Sequence, residues 1–141
     1  MWREKDIEKF FEDGEIIVNE GEYETEMFII KSGVVEVIKE INGRKVVVAE
    51  LGKGDFFGEM SLLENMPRSA TIKAKGKVNA LVLTSGSFML QIKRDPSFAF
   101  KVMQKMSTRM RRMDNVIVKM MESNATIREQ INKNILTSEF K

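Results

Sequence analysis

EMFIIKSGVVEVIKEINGRKVVVAEL, residues 26–51, is the stretch on which the fold turns. The runs Glu26-Met27-Phe28-Ile29-Ile30-Lys31 and Val34-Val35-Glu36-Val37-Ile38-Lys39 are rich in β-branched and apolar residues, and Ser32-Gly33 between them predicts a tight turn. Asn42-Gly43 is the strongest short-range hairpin signal, and Lys45-Val46-Val47-Val48-Ala49-Glu50-Leu51 follows it as the returning strand. The pattern continues in both directions. Gly14 precedes Glu15-Ile16-Ile17-Val18, and beyond a glycine-rich region at 52–58 come Ser69-Ala70-Thr71-Ile72-Lys73-Ala74 and Lys77-Val78-Asn79-Ala80-Leu81-Val82-Leu83. Helix-length segments are missing between most of these runs. The front of the chain therefore reads as an antiparallel all-β sandwich or barrel rather than a doubly wound parallel sheet.

Composition narrows the chemistry. The 141 residues include no cysteine and no histidine. Disulfides, thiol nucleophiles, thiolate zinc sites, imidazole metal ligands and Ser–His triads are thereby excluded. With 43% hydrophobic and 31% charged residues, the chain has a soluble globular composition. It has no apolar run of the ~20 residues that a membrane span requires, and Met1–Asp6 lacks the apolar core of a signal peptide. A cytoplasmic protein without membrane association is the expectation. The net charge of +2 hides an asymmetry: −7 over residues 1–30, +4 over 31–100 and +5 over 101–141. The acidic beginning could pair with the basic end, or both could be solvated faces.

One stretch does not read as a plain hairpin: Gly52-Lys53-Gly54-Asp55-Phe56-Phe57-Gly58-Glu59-Met60-Ser61-Leu62-Leu63-Glu64-Asn65-Met66-Pro67-Arg68-Ser69-Ala70. Its glycine spacing fits neither a Walker loop nor a dinucleotide fingerprint. Met60–Leu63 can form a single helical turn after Gly58, whose free amides would face the glycine side. Arg68 follows Pro67 and precedes a strand, where a guanidinium can grip a phosphate with two parallel hydrogen bonds. Glu59 is an acceptor suited to a sugar hydroxyl. On the residues alone, a simple Arg68–Glu59 ion pair with glycines serving as turns remains an alternative.

The order of these elements resembles a known family. Phe57-Gly58-Glu59-Met60-Ser61-Leu62-Leu63, followed by Pro67-Arg68-Ser69-Ala70-Thr71, looks like the phosphate-binding cassette of cyclic nucleotide-binding domains. Such domains occur in the bacterial catabolite activator protein, the regulatory subunit of cAMP-dependent protein kinase and cyclic-nucleotide-gated channels. The step from Glu59 to Arg68 is closer to the kinase and channel type. Gly14-Glu15-Ile16-Ile17, Glu20-Gly21-Glu22, the 28–37 run and Leu51–Glu59 fall in the family's order, so the resemblance covers about residues 12–95.

The resemblance implies a mainly β fold with C-terminal α structure: a jelly-roll-like antiparallel β-roll over residues 1–95, its cassette at 57–71, and a helical dimerisation or lid segment over 96–141. It implies that Arg68, the Ser69 hydroxyl and the amides of Met60, Ser61 and Ala70 bind a cyclic phosphate. Glu59 would accept from the ribose 2′-OH, and Gly58 would let the sugar-phosphate approach the backbone. Ser69, where cGMP-preferring relatives often have Thr, leans towards cAMP. Counting from Pro96, Met113 and Asp114 fall where the catabolite activator reads adenine with hydroxyls. Arg112, Met113, Asp114 and Asn115 are therefore the candidates for base contact. No metal is implied, and a metal-dependent enzyme on a similar roll would want histidines. A binding protein rather than an enzyme is expected.

Ser85-Gly86 and Ser87–Lys93 read as a short helix, and Pro96 is placed to start a long one. Six of the 11 methionines lie between Met103 and Met121. Met106, Met110, Met113, Ile117, Met120, Asn124, Ile127 and Ile131 recur in alternating steps of four and three, the coiled-coil period. This predicts a homodimer seam in which Asn124 is the register-setting polar residue. The stripe could instead pack on the roll, and Ser123-Asn124 could break the helix and leave a second one at about 125–136. The helices that precede the family's first strand are reduced to about Lys5–Glu12. No helix-turn-helix, kinase or pore fits in the remaining length, which argues against direct DNA binding. A free-standing sensor, or a part of a longer regulator acting on an unknown effector, is expected. The competing reading is a degenerate roll that serves as a dimerisation or interaction module without ligand.

Overall fold

The computed structural model describes residues 7–136, and the chain divides into two compact units with the boundary between Pro96 and Ser97. The first unit is a six-stranded antiparallel sheet built on two long strands, β3 (Met27–Ile41) and β6 (Thr71–Leu83), which pair with each other from Met27↔Leu83 to Ile38↔Thr71. β1 (Ile7–Phe11) and β2 (Ile16–Val18) pair with β6, while β4 (Arg44–Leu51) and β5 (Phe56–Phe57) pair with β3. The core lies between the inward faces of these strands. It gathers Val18, Phe28, Ile30, Val35, Phe57, Ile72, Ala74, Val78, Ala80 and Val82, with Phe11, Ile17, Val37 and Leu51 packed at its margin. Burial of such side chains contributes roughly 1.5–3 kcal/mol each and is the main force closing the roll.

The Asn42-Gly43 hairpin forms as expected, with both residues at positive φ and Ile41 opposite Arg44. The other turn signal resolves differently. Ser32-Gly33 does not end a strand; β3 runs straight through it, with register shifts on either side of Ser32. Gly33 takes φ +93, and a Cβ there would lie 2.3 Å from the Lys77 carbonyl oxygen of β6. A glycine at positive φ serves a bulge as well as a turn, and here the apolar residues on both sides face the same partner strand. Thr71–Ala74 of the 69–74 run and the whole 77–83 run likewise merge into β6, with Gly76 at positive φ between them, while Ser69 and Ala70 precede the strand.

The beginning of the chain also departs from expectation. Ile7–Phe11, within the segment assigned to a residual helix at Lys5–Glu12, is β1, paired from Ile7↔Val82 to Phe11↔Val78. The free edge of β6 and the place beside the core for Phe11 outweigh local helix propensity. Lys5 and Asp6 lie outside the described residues. α1 (Glu59–Glu64) follows β5, and α2 (Ser85–Arg94) follows β6 behind a reciprocal cap. The Thr84 hydroxyl accepts from the Ser87 amide at 3.2 Å and the Ser87 hydroxyl from the Thr84 amide at 2.8 Å.

The second unit carries most of α3 (Pro96–Ser123), which starts on the proline as expected, and α4 (Ala125–Leu136). Of the two readings of this stretch, one heptad helix running through Asn124 or a break at Ser123-Asn124 with a second helix at about 125–136, the structure takes the second and corrects the first. Asn124 separates the two helices, and its side-chain oxygen accepts from the amides of Thr126 at 2.9 Å and Ile127 at 3.2 Å. That carboxamide is used as an N-cap. The 3.5-residue stripe alone does not choose between the two readings, because capping residues and polar seam residues are the same amino acids. Within α3, Met110, Met113, Val116, Val118 and Met120 are exposed, while Met106 and Ile117 are half-buried.

Candidate functional site

The site is organised by a buried cation. Arg68 is 3% exposed, although arginine is almost never fully buried unless paired. Its backbone is stitched to the loop between β2 and β3: its amide donates to the Glu22 carbonyl at 2.8 Å, and its carbonyl accepts from the Gly21 amide at 2.8 Å. This fixes where the side chain starts. At the far end Nη1 donates to the Glu26 carbonyl at 2.6 Å, and the guanidinium carbon stands 5.9 Å from the centre of the Phe28 ring. Phe28 stacks on Phe57 with centroids 4.9 Å apart and planes 9° apart, a consequence of their direct pairing between β3 and β5.

Gly58 closes the arrangement. It adopts φ +86 and ψ 5 as the residue before α1, and a Cβ on it would meet Arg68 Nη1 and the Glu26 carbonyl oxygen, each at 2.7 Å. Glycine is thus required twice, for the left-handed backbone and for the approach of the guanidinium. The contact also joins the two halves of the 57–71 stretch. Glu59, Met60 and Ser61 follow Gly58 as the first turn of α1, with Ser61 buried and Met60 exposed; Ser69, exposed, and Ala70, buried, follow Arg68. Leu62 is the first residue of α1 to close an i to i−4 hydrogen bond, onto Gly58 at 3.1 Å, so the Met60 and Ser61 amides before it lack that intrahelical partner by the geometry of a helix start.

The polar balance at Arg68 is incomplete. Nη1 has its carbonyl, but Nε and Nη2 are buried with no hydrogen-bond partner. The Glu24 carboxylate is 3.7 Å from Nη2, an ion pair too long for a hydrogen bond. Burial pushes the Arg68 pKa down from its ordinary value, and the charges of Glu24, Glu26 and Glu22 push it back up. The group stays cationic, since arginine is not deprotonated in proteins. Nε and Nη2 together form one edge of the planar guanidinium, a fork that matches two oxygens of a phosphate. Orphaned buried donors cost roughly 1–3 kcal/mol each. The donor set and the cradle at Gly58 fit an anion with two acceptor oxygens.

Arg112, Met113, Asp114 and Asn115 lie on α3 in the second unit and are all exposed. Four consecutive residues sweep most of a turn at ~100° per residue, so no more than about two of them can face one ligand. The loop before β3 contributes to the site in a way that the sequence reading did not include. From that loop Glu24 and the Glu26 carbonyl contact Arg68, and Phe28, the second residue of β3, lies under its guanidinium. The glutamates at 20, 22, 24 and 26 were the available signal, because a buried arginine needs acceptors. Other acidic residues of the front also find partners inside the first unit, Glu8 with Lys31 and Glu50 with Lys75. Among the described residues no group of three or more acidic, cysteine or histidine side chains is arranged to hold a metal ion, and no helix is long and apolar enough to cross a membrane.

A fold of this kind, with a buried arginine at the site whose Nε–Nη2 edge has no hydrogen-bond partner, narrows the class. The sequence matches the cyclic nucleotide-binding domain family across residues 8–95, and the chain belongs to that family. It is 39% identical over 79 residues to a cAMP-dependent protein kinase regulatory subunit of Mucor circinelloides f. lusitanicus, an alignment covering 56% of this chain and 18% of that protein. Among solved structures it is similar to the Thermus thermophilus catabolite activator protein, with a TM-score of 0.74 and 27% identity over 82% of this chain and 55% of the other. It is also similar to the regulatory domain of Toxoplasma gondii PKA in complex with cAMP, with a TM-score of 0.57 and 33% identity over 60% of this chain and 33% of that one. The alignments cover only 12–28% of the length of the curated relatives that the chain matches.

Proposed function

We propose that this chain is a cyclic-nucleotide receptor domain, with cAMP as its ligand, and that it regulates rather than catalyses. The observation that carries the reading is the buried Arg68, whose Nε–Nη2 edge has no hydrogen-bond partner. Arg68 grips the cyclic phosphate through that edge. The amides of Met60, Ser61 and Ala70 and the hydroxyl of Ser69 supply further donors, and Glu59 accepts from the ribose 2′-OH. Gly58 leaves room for the sugar-phosphate. Ser69 supports cAMP over cGMP, and one or two of Arg112, Met113, Asp114 and Asn115 cover or read the base.

In this reading α3 is the output element. Its exposed Met110, Met113 and Met120 form a soft apolar stripe suited to a second copy of the chain or to repacking when ligand binds. The working form is a cytoplasmic homodimer that signals to an effector protein or domain. After the helix break at Asn124, the seam consists of Met106, Met110, Met113, Ile117 and Met120 on α3, with Ile127 and Ile131 on a separate helix.

A thermal-shift titration tests the core of the proposal. A ligand at about 100 times its Kd stabilises the fold by roughly 2.7 kcal/mol. cAMP is expected to raise the melting temperature, cGMP less so, and 5′-AMP least. Arg68→Ala is expected to weaken cAMP binding on the order of a hundredfold, because it removes two charge-assisted hydrogen bonds worth roughly 1.5–3 kcal/mol each, less what water recovers. No shift with any cyclic nucleotide, or an equal shift in Arg68→Ala, would defeat the receptor reading. Solution mass with and without cAMP tests the dimer.

A further inference from the structure

The carboxylate of Glu24 occupies an unusual position relative to the cation it faces. Arg68 has a side chain 2% exposed, whereas the Glu24 side chain is 52% exposed, and its Oε2 stands 3.7 Å from Nη2. Nη2 is half of the fork left without a hydrogen bond. An anion that accepts from Nε and Nη2 must therefore come close to the Glu24 carboxylate, and two anions would then share one guanidinium. Glu24 is solvated enough to swing away, so the encounter imposes a finite cost and not a block. That cost grows with the charge of the incoming group. A cyclic phosphodiester carries one negative charge, and a phosphomonoester carries close to two at neutral pH.

We propose that Glu24 is a built-in counter-anion for Arg68, which an incoming phosphate must displace, and that it biases the site towards singly charged cyclic phosphates over doubly charged monophosphates. The inference rests on the receptor reading above and adds to it a specificity residue outside the 57–71 stretch. Two neighbouring acids place it in context. Glu26 holds Nη1 only through its backbone carbonyl, and Glu22 pairs with the Arg68 amide only through its own backbone carbonyl. Their side-chain charges act on the guanidinium more weakly than that of Glu24.

The test is calorimetric titration of the full chain and of Glu24→Gln with cAMP and with 5′-AMP, at low and high ionic strength. Glu22→Gln serves as a control for charge without the ion pair. Removing a half-exposed ion pair is expected to tighten cAMP binding by about twofold to fivefold. The gain for 5′-AMP should be larger, both gains should shrink in high salt, and Glu22→Gln should show less of either. Unchanged or weaker cAMP binding in Glu24→Gln, with its unliganded melting temperature retained, would overturn the proposal while leaving the receptor reading intact. Equal gains for the two nucleotides would overturn the selectivity. Failure of both the native chain and the variant to bind cAMP would bring down the receptor reading and this proposal with it.

Discussion

Replacing Gly58 with alanine probes the central contact of the site without touching any polar group. Two penalties apply. The backbone sits at φ +86, where an L-residue costs roughly 1–2 kcal/mol. The added Cβ would stand 2.7 Å from Arg68 Nη1, 2.7 Å from the Glu26 carbonyl oxygen and 3.3 Å from the Met27 Cα. These last two atoms are backbone at the start of β3 and cannot yield cheaply, so overpacking adds roughly 1–3 kcal/mol. The expected loss is about 2–5 kcal/mol, or a fall of roughly 10–25 °C in melting temperature for a unit of about 100 residues. Gly21→Ala is the matched control. Gly21 has nearly the same φ, +87, but a Cβ added there would meet nothing within 4 Å, so only the backbone penalty applies. Urea unfolding of both variants, followed by far-UV circular dichroism, isolates the steric part as their difference. A difference below about 0.5 kcal/mol, within the scatter of an ordinary surface substitution, would refute the tight Gly58–Arg68 contact and the anchoring of the guanidinium built on it.

Asn124→Ala should lower helicity and cost about 1 kcal/mol through loss of the α4 cap; an increase in helical signal would instead favour one continuous helix, since alanine is the better helix former. Gly33→Ala should destabilise the first unit by more than about 2 kcal/mol in urea unfolding, combining the positive φ with a Cβ only 2.3 Å from the Lys77 carbonyl oxygen. The Lys31 hydrogen bond, aided by that from Asn79, holds the Glu8 carboxyl below its ordinary pKa. Its contribution is therefore present above the unfolded carboxylate range and lost as pH falls through the folded value; Lys31→Met should flatten that part of the acid limb in melting-temperature profiles.

Much of the fold was legible because the relevant signals are local. The Asn42-Gly43 hairpin, the capped helix at Ser85 and the proline start of α3 each depend on a few adjacent residues whose chemistry has one structural use. Ser32-Gly33 and Asn124 were ambiguous for the opposite reason. A positive-φ glycine suits a turn or a bulge, and an asparagine suits a seam or a cap, and only the partner strand or the next helix decides. The candidate site divides along the same line. Gly58, Glu59 and Arg68 stand out in the sequence by type and spacing. Glu24 and the Glu26 carbonyl do not, because their role depends on the loop before β3 meeting the segment before β6, and a backbone carbonyl has no sequence signature at all.

The pairing of β3 with β6 has a kinetic consequence. These strands join residues tens of positions apart, and β4, β5, α1 and the whole 57–71 stretch except its last residue lie on the chain they enclose. Bringing the strands together carries the entropy of closing that long loop before the contacts that reward it exist. The Glu26 carbonyl enters at the end of that ladder with the longest enclosed loop, beside the Met27–Leu83 pair, so the Gly58–Arg68 cradle is expected to gain its full rigidity late in folding. An excised peptide spanning residues 57–71 would keep every polar group of the stretch and none of its preorganisation, and anion capture would appear among the last events of refolding.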